Sequence, residues 1–370
     1  MDRVGVGLIG TGYMGKCHAL AWNAVGAVFG DCPDVHLVHL ADVDAEHARS
    51  QAKAFGFGKG TDDWRALVAN PDVDVVSVTA PNSFHAEMAI AALEAGKHVW
   101  CEKPMAPDLD DAIRMRDAAR IAKGKAILGY NYIQNPIMLH MRELIRSGQI
   151  GDVHHIRFEM DEDFMADPEA LFFWKSEASS GYGVLDDFAV HPLSLIQKLF
   201  GPVDRVMADM SKPYADRPLA DGRRRAVETY DVASALIRFE NDIAGTVCVS
   251  RSAWGRKGRV AMQVFGSQGS ILFDQERMNE FRIYRNEGPA SDQGYSTILA
   301  SPEHPPYDRF LPAPGHGLGF NDQKTIECRQ LLHAIAGESA HVIDFEEGLQ
   351  IERTVHAMAR SHDDGGWVNV

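Results

Sequence analysis

Two short constellations hold residue types that can move a proton. In Glu102-Lys103-Pro104, the charged pair follows apolar Val99 and Trp100, so a lysine is expected at the carboxyl end of a buried strand, where open parallel sheets bind ligands. Pro104 fixes its own φ and pushes Lys103 out of the α region, so the strand must end in a turn. Asp187 and His191 stand four residues apart, a spacing that puts two side chains on one face of a helix. A neutral imidazole near pH 7 can take a hydroxyl proton, and an ammonium in a water-poor cleft can stabilise the alkoxide left behind. Asp187 would orient a substrate hydroxyl or raise the basicity of His191. Standing alone, each motif has an ordinary reading: a solvated Lys-Pro turn, or a capping aspartate beside a partly buried histidine.

A third motif changes the weighting. Gly10-Thr11-Gly12-Tyr13-Met14-Gly15 lies between a strand pattern at residues 4–9 and a helical pattern through Ala19, Leu20 and Trp22, the context that G-x-G-x-x-G needs to bind a dinucleotide. Gly10 serves the tight turn, Gly12 the approach of backbone to a pyrophosphate, and Gly15 the close packing of the helix whose N-terminus faces that anion. The second strand ends at Asp42. A carboxylate there accepts hydrogen bonds from ribose hydroxyls and repels a 2′-phosphate, so NAD is expected rather than NADP. His18, early in the first helix, is read as structural.

The elements that position these groups follow from periodicity. Strand and helix patterns alternate through residue 128, which predicts a doubly wound parallel sheet, the Rossmann arrangement, over residues 1–128. Ala80-Pro81-Asn82-Ser83-Phe84-His85 stands between a strand and a helix, with Pro81 stopping the strand and Asn82 or Ser83 available as a cap. Residues 129–370 then show several strands with an Asn241-Asp242 hairpin signal, hence a second, at least partly antiparallel α/β domain for substrate binding and oligomerisation. Two polar loops, 211–226 and 286–317, are long enough to line a pocket. Asn131, at the crossover, is expected to line the cleft, and Trp174 to offer a flat face to a sugar ring; Tyr182 is a weaker candidate for the same task.

Composition excludes other classes. Across 370 residues, 45% hydrophobic and 24% charged residues describe a globular protein. A net charge of -15 argues against a nucleic-acid or anionic-membrane partner. The five cysteines are scattered without C-x-x-C spacing, which predicts neither a disulfide framework nor a structural metal, and no metal is expected. With no apolar signal core before the first strand, a reducing cytoplasmic setting is expected. Alternating Ile243, Val247 and Val249 suggest a sheet face covered by another subunit, so a homodimer or homotetramer is expected.

Taken in order, these motifs resemble the Gfo/Idh/MocA family of glucose-fructose oxidoreductases and inositol dehydrogenases. The resemblance rests on the glycine hexapeptide, Ala80-Pro81-Asn82 with His85, Gly96-Lys97-His98-Val99 leading to Glu102-Lys103-Pro104, and Asp187-x-x-x-His191. Gly319-Phe320 leading into Lys324-Thr325-Ile326-Glu327-Cys328 points within it to levoglucosan-dehydrogenase-type sugar oxidoreductases. It implies a second domain with a large, mostly antiparallel sheet. For the site it implies Lys103, Asp187 and His191 as catalytic residues, with Asn131 and Trp174 beside them on the substrate. On the cofactor it implies Gly10, Thr11, Gly12, Tyr13, Met14, Gly15, Asp42, Ala80, Pro81, Asn82, His85, Glu102, Lys103 and Asn131.

The expected activity is NAD-dependent hydride transfer from a secondary hydroxyl of a sugar, anhydrosugar or cyclic polyol. Two alternatives stand beside it: a redox-neutral NAD-dependent glycosidase of the same family, which would release sugar without net NADH, and a non-catalytic NAD-sensing protein. The latter would have no need of Lys103, Asp187 and His191 together.

Overall fold

The computed structural model describes residues 2–370. Six short parallel strands build the first sheet, and the first, fourth, fifth and sixth of them are buried at nearly every residue, as a parallel sheet covered on both faces requires. They are β1 Arg3–Ile9, β2 Asp34–Ala41, β3 Lys59–Thr61, β4 Val75–Val78, β5 His98–Glu102 and β6 Ala126–Gly129. Between them run α1 Tyr13–Phe29, α2 Ala45–Phe55, α3 Trp64–Val68, α4 His85–Glu94 and α5 Leu109–Ile121. Asp44, Asp63 and Asp108 cap α2, α3 and α5 through their carboxylates, satisfying N–H groups that a helix start leaves open.

The remainder comprises α6 Pro136–Arg146, β7 Val153–Glu162, α7 Val190–Phe200, β8 Arg205–Ser211, β9 Asp216–Pro218, β10 Arg224–Ala226, β11 Val232–Arg238 and β12 Ala244–Ser250. After these come β13 Lys257–Gly266, β14 Gly269–Asp274, β15 Glu280–Arg285, β16 Ser296–Leu299, α8 Tyr307–Phe310, α9 Phe320–Ala336, β17 Ile343–Asp344, α10 Phe345–Asp364 and β18 Val368–Asn369.

The chain forms two compact units, 1–134 with 318–349 and 135–317 with 350–370. A division at residue 128/129 is thus displaced to Gln134/Asn135, and the segment carrying α9 and β17 returns to the first unit. In that unit the sheet runs β17-β6-β5-β4-β1-β2-β3, parallel except for β17 against β6. Strand order reverses at β1, between β4 and β2, and the glycine loop leaves β1 there, at the switch point where such sheets bind ligands.

In the second unit a nine-stranded sheet runs β16-β15-β14-β13-β7-β12-β11-β8-β18. Every pair is antiparallel except β12 with β7. The Asn241-Asp242 turn joins β11 to β12, with Asp242 at φ 65°. The loops expected at 211–226 and 286–317 are partly regular, containing β9–β10 and then β16 with α8. Ile243, Val247 and Val249, expected on an intersubunit face, are instead buried within the unit. The residues between them, Ala244, Thr246, Cys248 and Ser250, point the other way and are half-buried, because side chains alternate along a strand.

Candidate active site

In the first unit the glycine loop has the backbone its residues permit. Gly10 sits at φ 92°, and a Cβ there would lie 2.9 Å from the backbone of Thr79 and Ala80. A Cβ on Gly15 would come within 2.2 Å of the Gly10 carbonyl, so α1 packs onto the loop only without one. Gly12 is exposed, with open space where a side chain would be, and it begins α1 without a side-chain cap. The first N–H groups of a 17-residue helix thus lie beside a bare glycine, the arrangement that receives a pyrophosphate. Asp42, one residue past β2, accepts from Thr11 N–H at 2.9 Å and from the Thr11 hydroxyl. Tyr13 is exposed and lies 6.0 Å from the Phe320 ring; Met14 is half-buried. These residues fit a dinucleotide.

The next group departs from expectation. Lys103 is half-buried at the end of β5, but its neighbour Glu102 turns inward. Lys324 Nζ donates to Glu102 Oε1 at 2.5 Å and to Glu327 Oε2 at 2.9 Å, and His18 Nε2 lies 2.8 Å from Glu102 Oε1. The His18 ring stacks on Trp100 at 3.7 Å. Burial by itself would raise the Glu102 carboxyl, yet the Lys324 ammonium and the His18 hydrogen bond hold it well below the ordinary carboxylate range. Burial pushes Glu327 up to about 7 and His18 down to about 4, so His18 is neutral and donates from Nε2. Glu102 therefore anchors the end of the strand behind Lys103.

Other residues expected at the cofactor also make contacts within the unit. His85 is buried, with Nδ1 2.8 Å from Pro104 O and Nε2 3.0 Å from Ala80 O, so it ties the two loops together. Burial lowers its pKa, and a neutral ring donates to only one of those carbonyls. Asn82 is buried in a 3-10 turn, Asn82–Phe84, while Pro81 is exposed and Ala80 half-buried; neither Asn82 nor Ser83 is the N-cap of α4, a position held by Phe84. Asn131 is buried, and its Nδ2 donates to Gln323 Oε1 at 3.2 Å.

In the second unit, α7 is entered through a π-helical turn, Leu185–Ala189, so Asp187 and His191 do not sit on one regular α-helix. Such wide turns occur often at functional sites. Of the two adjacent acids, Asp186 is buried and accepts from Tyr182 N–H at 2.5 Å, and burial raises its pKa to about 7. Asp187 is the more open one. Lys175 Nζ donates to both of its oxygens, at 2.9 and 2.8 Å, and Arg251 lies 3.8 Å away. Buried Arg251 in turn holds buried Asp231 at 2.7 Å. His191 is 5% exposed, at the second residue of α7. Trp174 is 46% and Phe164 40% exposed, and Lys175 Nζ lies within 5.8 Å of each ring. Tyr182 is drawn aside by a 2.9 Å hydrogen bond with His356.

Lys175, Arg251 and Phe164 were not singled out from sequence, and Lys324 only as part of the run from Gly319 to Cys328. Lys175 follows Trp174 in an irregular segment whose fold no periodicity dictates. Lys324 carried a usable signal, Glu327 three residues on, the spacing of a same-face pair on a helix. Among the described residues no cluster suited to a metal ion occurs and no helix is long and apolar enough to cross a membrane.

The geometry has counterparts. Residues 4–130 match the oxidoreductase family with an NAD-binding Rossmann fold, and residues 138–272 match the GFO/IDH/MocA C-terminal domain. Levoglucosan dehydrogenase of Pseudarthrobacter phenanthrenivorans is 33% identical over 100% of this chain and 99% of its own. This chain belongs to the Gfo/Idh/MocA family. A solved levoglucosan dehydrogenase in complex with NADH and levoglucosan superposes with TM-score 0.96 at 34% identity, covering 100% of this chain and 99% of the other. Myo-inositol 2-dehydrogenase of Thermotoga maritima is 28% identical over 74% of this chain and 75% of its own. The protein is thus an oxidoreductase with an N-terminal NAD-binding Rossmann domain followed by a mostly antiparallel α/β domain.

Proposed function

We propose that this enzyme is an NAD-dependent dehydrogenase that oxidises a secondary hydroxyl of a sugar, anhydrosugar or cyclic polyol. The observation that carries the substrate class is the Lys175–Asp187 pair flanked by half-open Trp174 and Phe164. Flat aromatic faces suit the C–H surface of a ring, and a paired ammonium and carboxylate offer donors and acceptors to several hydroxyls. The names of its relatives, levoglucosan dehydrogenase and myo-inositol 2-dehydrogenase, point to the same class.

In this reading His191 takes the hydroxyl proton and Lys103 hydrogen-bonds the oxygen as negative charge grows there. Asp187, held by Lys175 and Arg251, orients the neighbouring hydroxyls. The nicotinamide, when bound, supplies the hydride acceptor. Gly10, Gly12 and Gly15 let the backbone approach the pyrophosphate, and Asp42 accepts from the ribose. The test is a screen of sugars, anhydrosugars and inositols for NADH absorbance with NAD supplied. Failure of every cyclic polyhydroxyl compound, against turnover of an acyclic or aromatic alcohol, would reject the substrate class.

The assembly is proposed as a homo-oligomer built on the outer face of the nine-stranded sheet. Register places Met207, Leu236, Thr246, Arg157, Gln263, Leu272 and Arg282 in one row across it, with Met207 40% and Leu236 47% exposed. Light scattering should give a multiple of the chain mass, reduced by Leu236→Glu. All five cysteines are free, in keeping with a reducing, cytoplasmic setting.

A further inference from the structure

Three side chains meet at the end of β2, and their donors and acceptors can be assigned by elimination. The Thr11 hydroxyl lies against Asp42 Oδ2 and, on its other side, 2.9 Å from His47 Nε2. A threonine hydroxyl has one proton, and an ionised carboxylate can only accept. That proton therefore goes to Asp42, and His47 must carry its hydrogen on Nε2 and donate it to the Thr11 oxygen. His47 is held for this task by the start of α2, where Asp44 Oδ1 accepts from the His47 N–H at 2.7 Å. The order is His47 Nε2–H to Thr11 Oγ1–H to Asp42 Oδ2.

The relay matters because of what Asp42 has left to offer. Its Oδ2 accepts from Thr11 N–H at 2.9 Å as well as from the hydroxyl, and its Oδ1 accepts from Val43 N–H at 2.7 Å. A carboxylate has about four acceptor directions, so only a narrow part of it faces outward, and its orientation is set by Thr11. Donation from His47 polarises the Thr11 O–H and strengthens its bond to the carboxylate. The His47 Nε2–H is thus committed to Thr11.

We infer that His47 is a positioning residue for cofactor discrimination, acting through Thr11 to fix Asp42 for a ribose bearing two free hydroxyls. The inference rests on the proposed role of Asp42, and the experiment separates the two. Calorimetric titration of the whole enzyme with NAD and with NADP gives two dissociation constants per variant. Asp42→Ala should collapse the ratio between them; an unchanged ratio removes Asp42 from the ribose and overturns the relay with it. Given that collapse, His47→Ala should weaken NAD about threefold to tenfold and leave NADP within twofold, the scale of one hydrogen bond. His47→Gln should restore the parental ratio, since the glutamine amide can place an N–H where Nε2–H stands, whereas His47→Leu should behave as His47→Ala. His47 is exposed, so the fold should survive, which thermal melts of each variant check. Equal weakening of both cofactors by His47→Ala, no weakening at all, or no rescue by glutamine overturns the inference.

Discussion

Each unit places a lysine against carboxylates near a residue expected to do chemistry, yet the two clusters are built oppositely. In the first unit Lys324, Glu102, Glu327 and His18 are all buried; Lys324 bonds both glutamates, His18 bonds Glu102, and the second Glu102 oxygen accepts from the Lys103 N–H at 3.3 Å. In the second, Lys175 and Asp187 are in part open, with half-exposed aromatic rings beside them. The closed cluster gives the end of β5 a rigid backing. The second pair, with side chains 29% and 12% exposed, is open enough to exchange partners with a hydroxylated molecule. Burial therefore separates the charge pair that holds the fold from the pair suited to turnover.

The comparison can be broken most severely at the open end. His191→Ala and Lys103→Ala should each lower kcat by ~10²- to 10⁴-fold, and the double variant should be little worse than either single one, because groups acting on one proton are not additive. Near-parental turnover of His191→Ala on the best substrate, at every pH tried, would move the base elsewhere. At the closed end, Lys324→Met strands Glu102 without its counter-charge and should cost about 3–5 kcal/mol in urea unfolding. Lys175→Met sharpens the contrast. It should change stability by under about 1 kcal/mol while raising KM for the sugar, and a loss of stability equal to that of Lys324→Met would erase the distinction.

A smaller effect concerns pH. Burial raises the Asp186 carboxyl from its ordinary value of 3.8 to about 7 in the folded chain, so the folded chain binds the extra proton between those values. The stabilisation is full below about pH 4 and is lost as pH rises through about 7. Unfolding free energy measured from pH 5 to 8 should therefore fall less steeply in Asp186→Asn than in the parent.

Much of the first unit was legible because its signals are local. A glycine fingerprint between strand and helix, and apolar runs ending at Asp42 and Lys103, fix both the sheet and its ligand edge. Local signals say less about side-chain direction. His85, Asn82, Glu102 and Asn131 lie at the right places along the chain, but which way each side chain turns depends on partners such as Pro104, Gln323 and Lys324, the last two distant in sequence. Ile243, Val247 and Val249 show the same limit, since alternation reveals that one face is buried without saying against what. The π-helical turn at Leu185–Ala189 leaves no mark that separates D-x-x-x-H from an ordinary helix start. Lys175 could be found only once the irregular segment carrying it had been traced to Asp187.

The return of residues 318–349 to the first unit has a consequence for the order in which the protein can be made. Emerging from a ribosome, residues 1–134 include Glu102 but neither Lys324 nor the β17 edge of the sheet. At the ~5–20 residues per second of synthesis, the missing pieces follow on the order of ten to forty seconds later. During that interval a carboxylate destined for a dry interior has no ammonium to meet it, and the nascent nucleotide half must wait, part-formed, for a helix encoded well downstream of it.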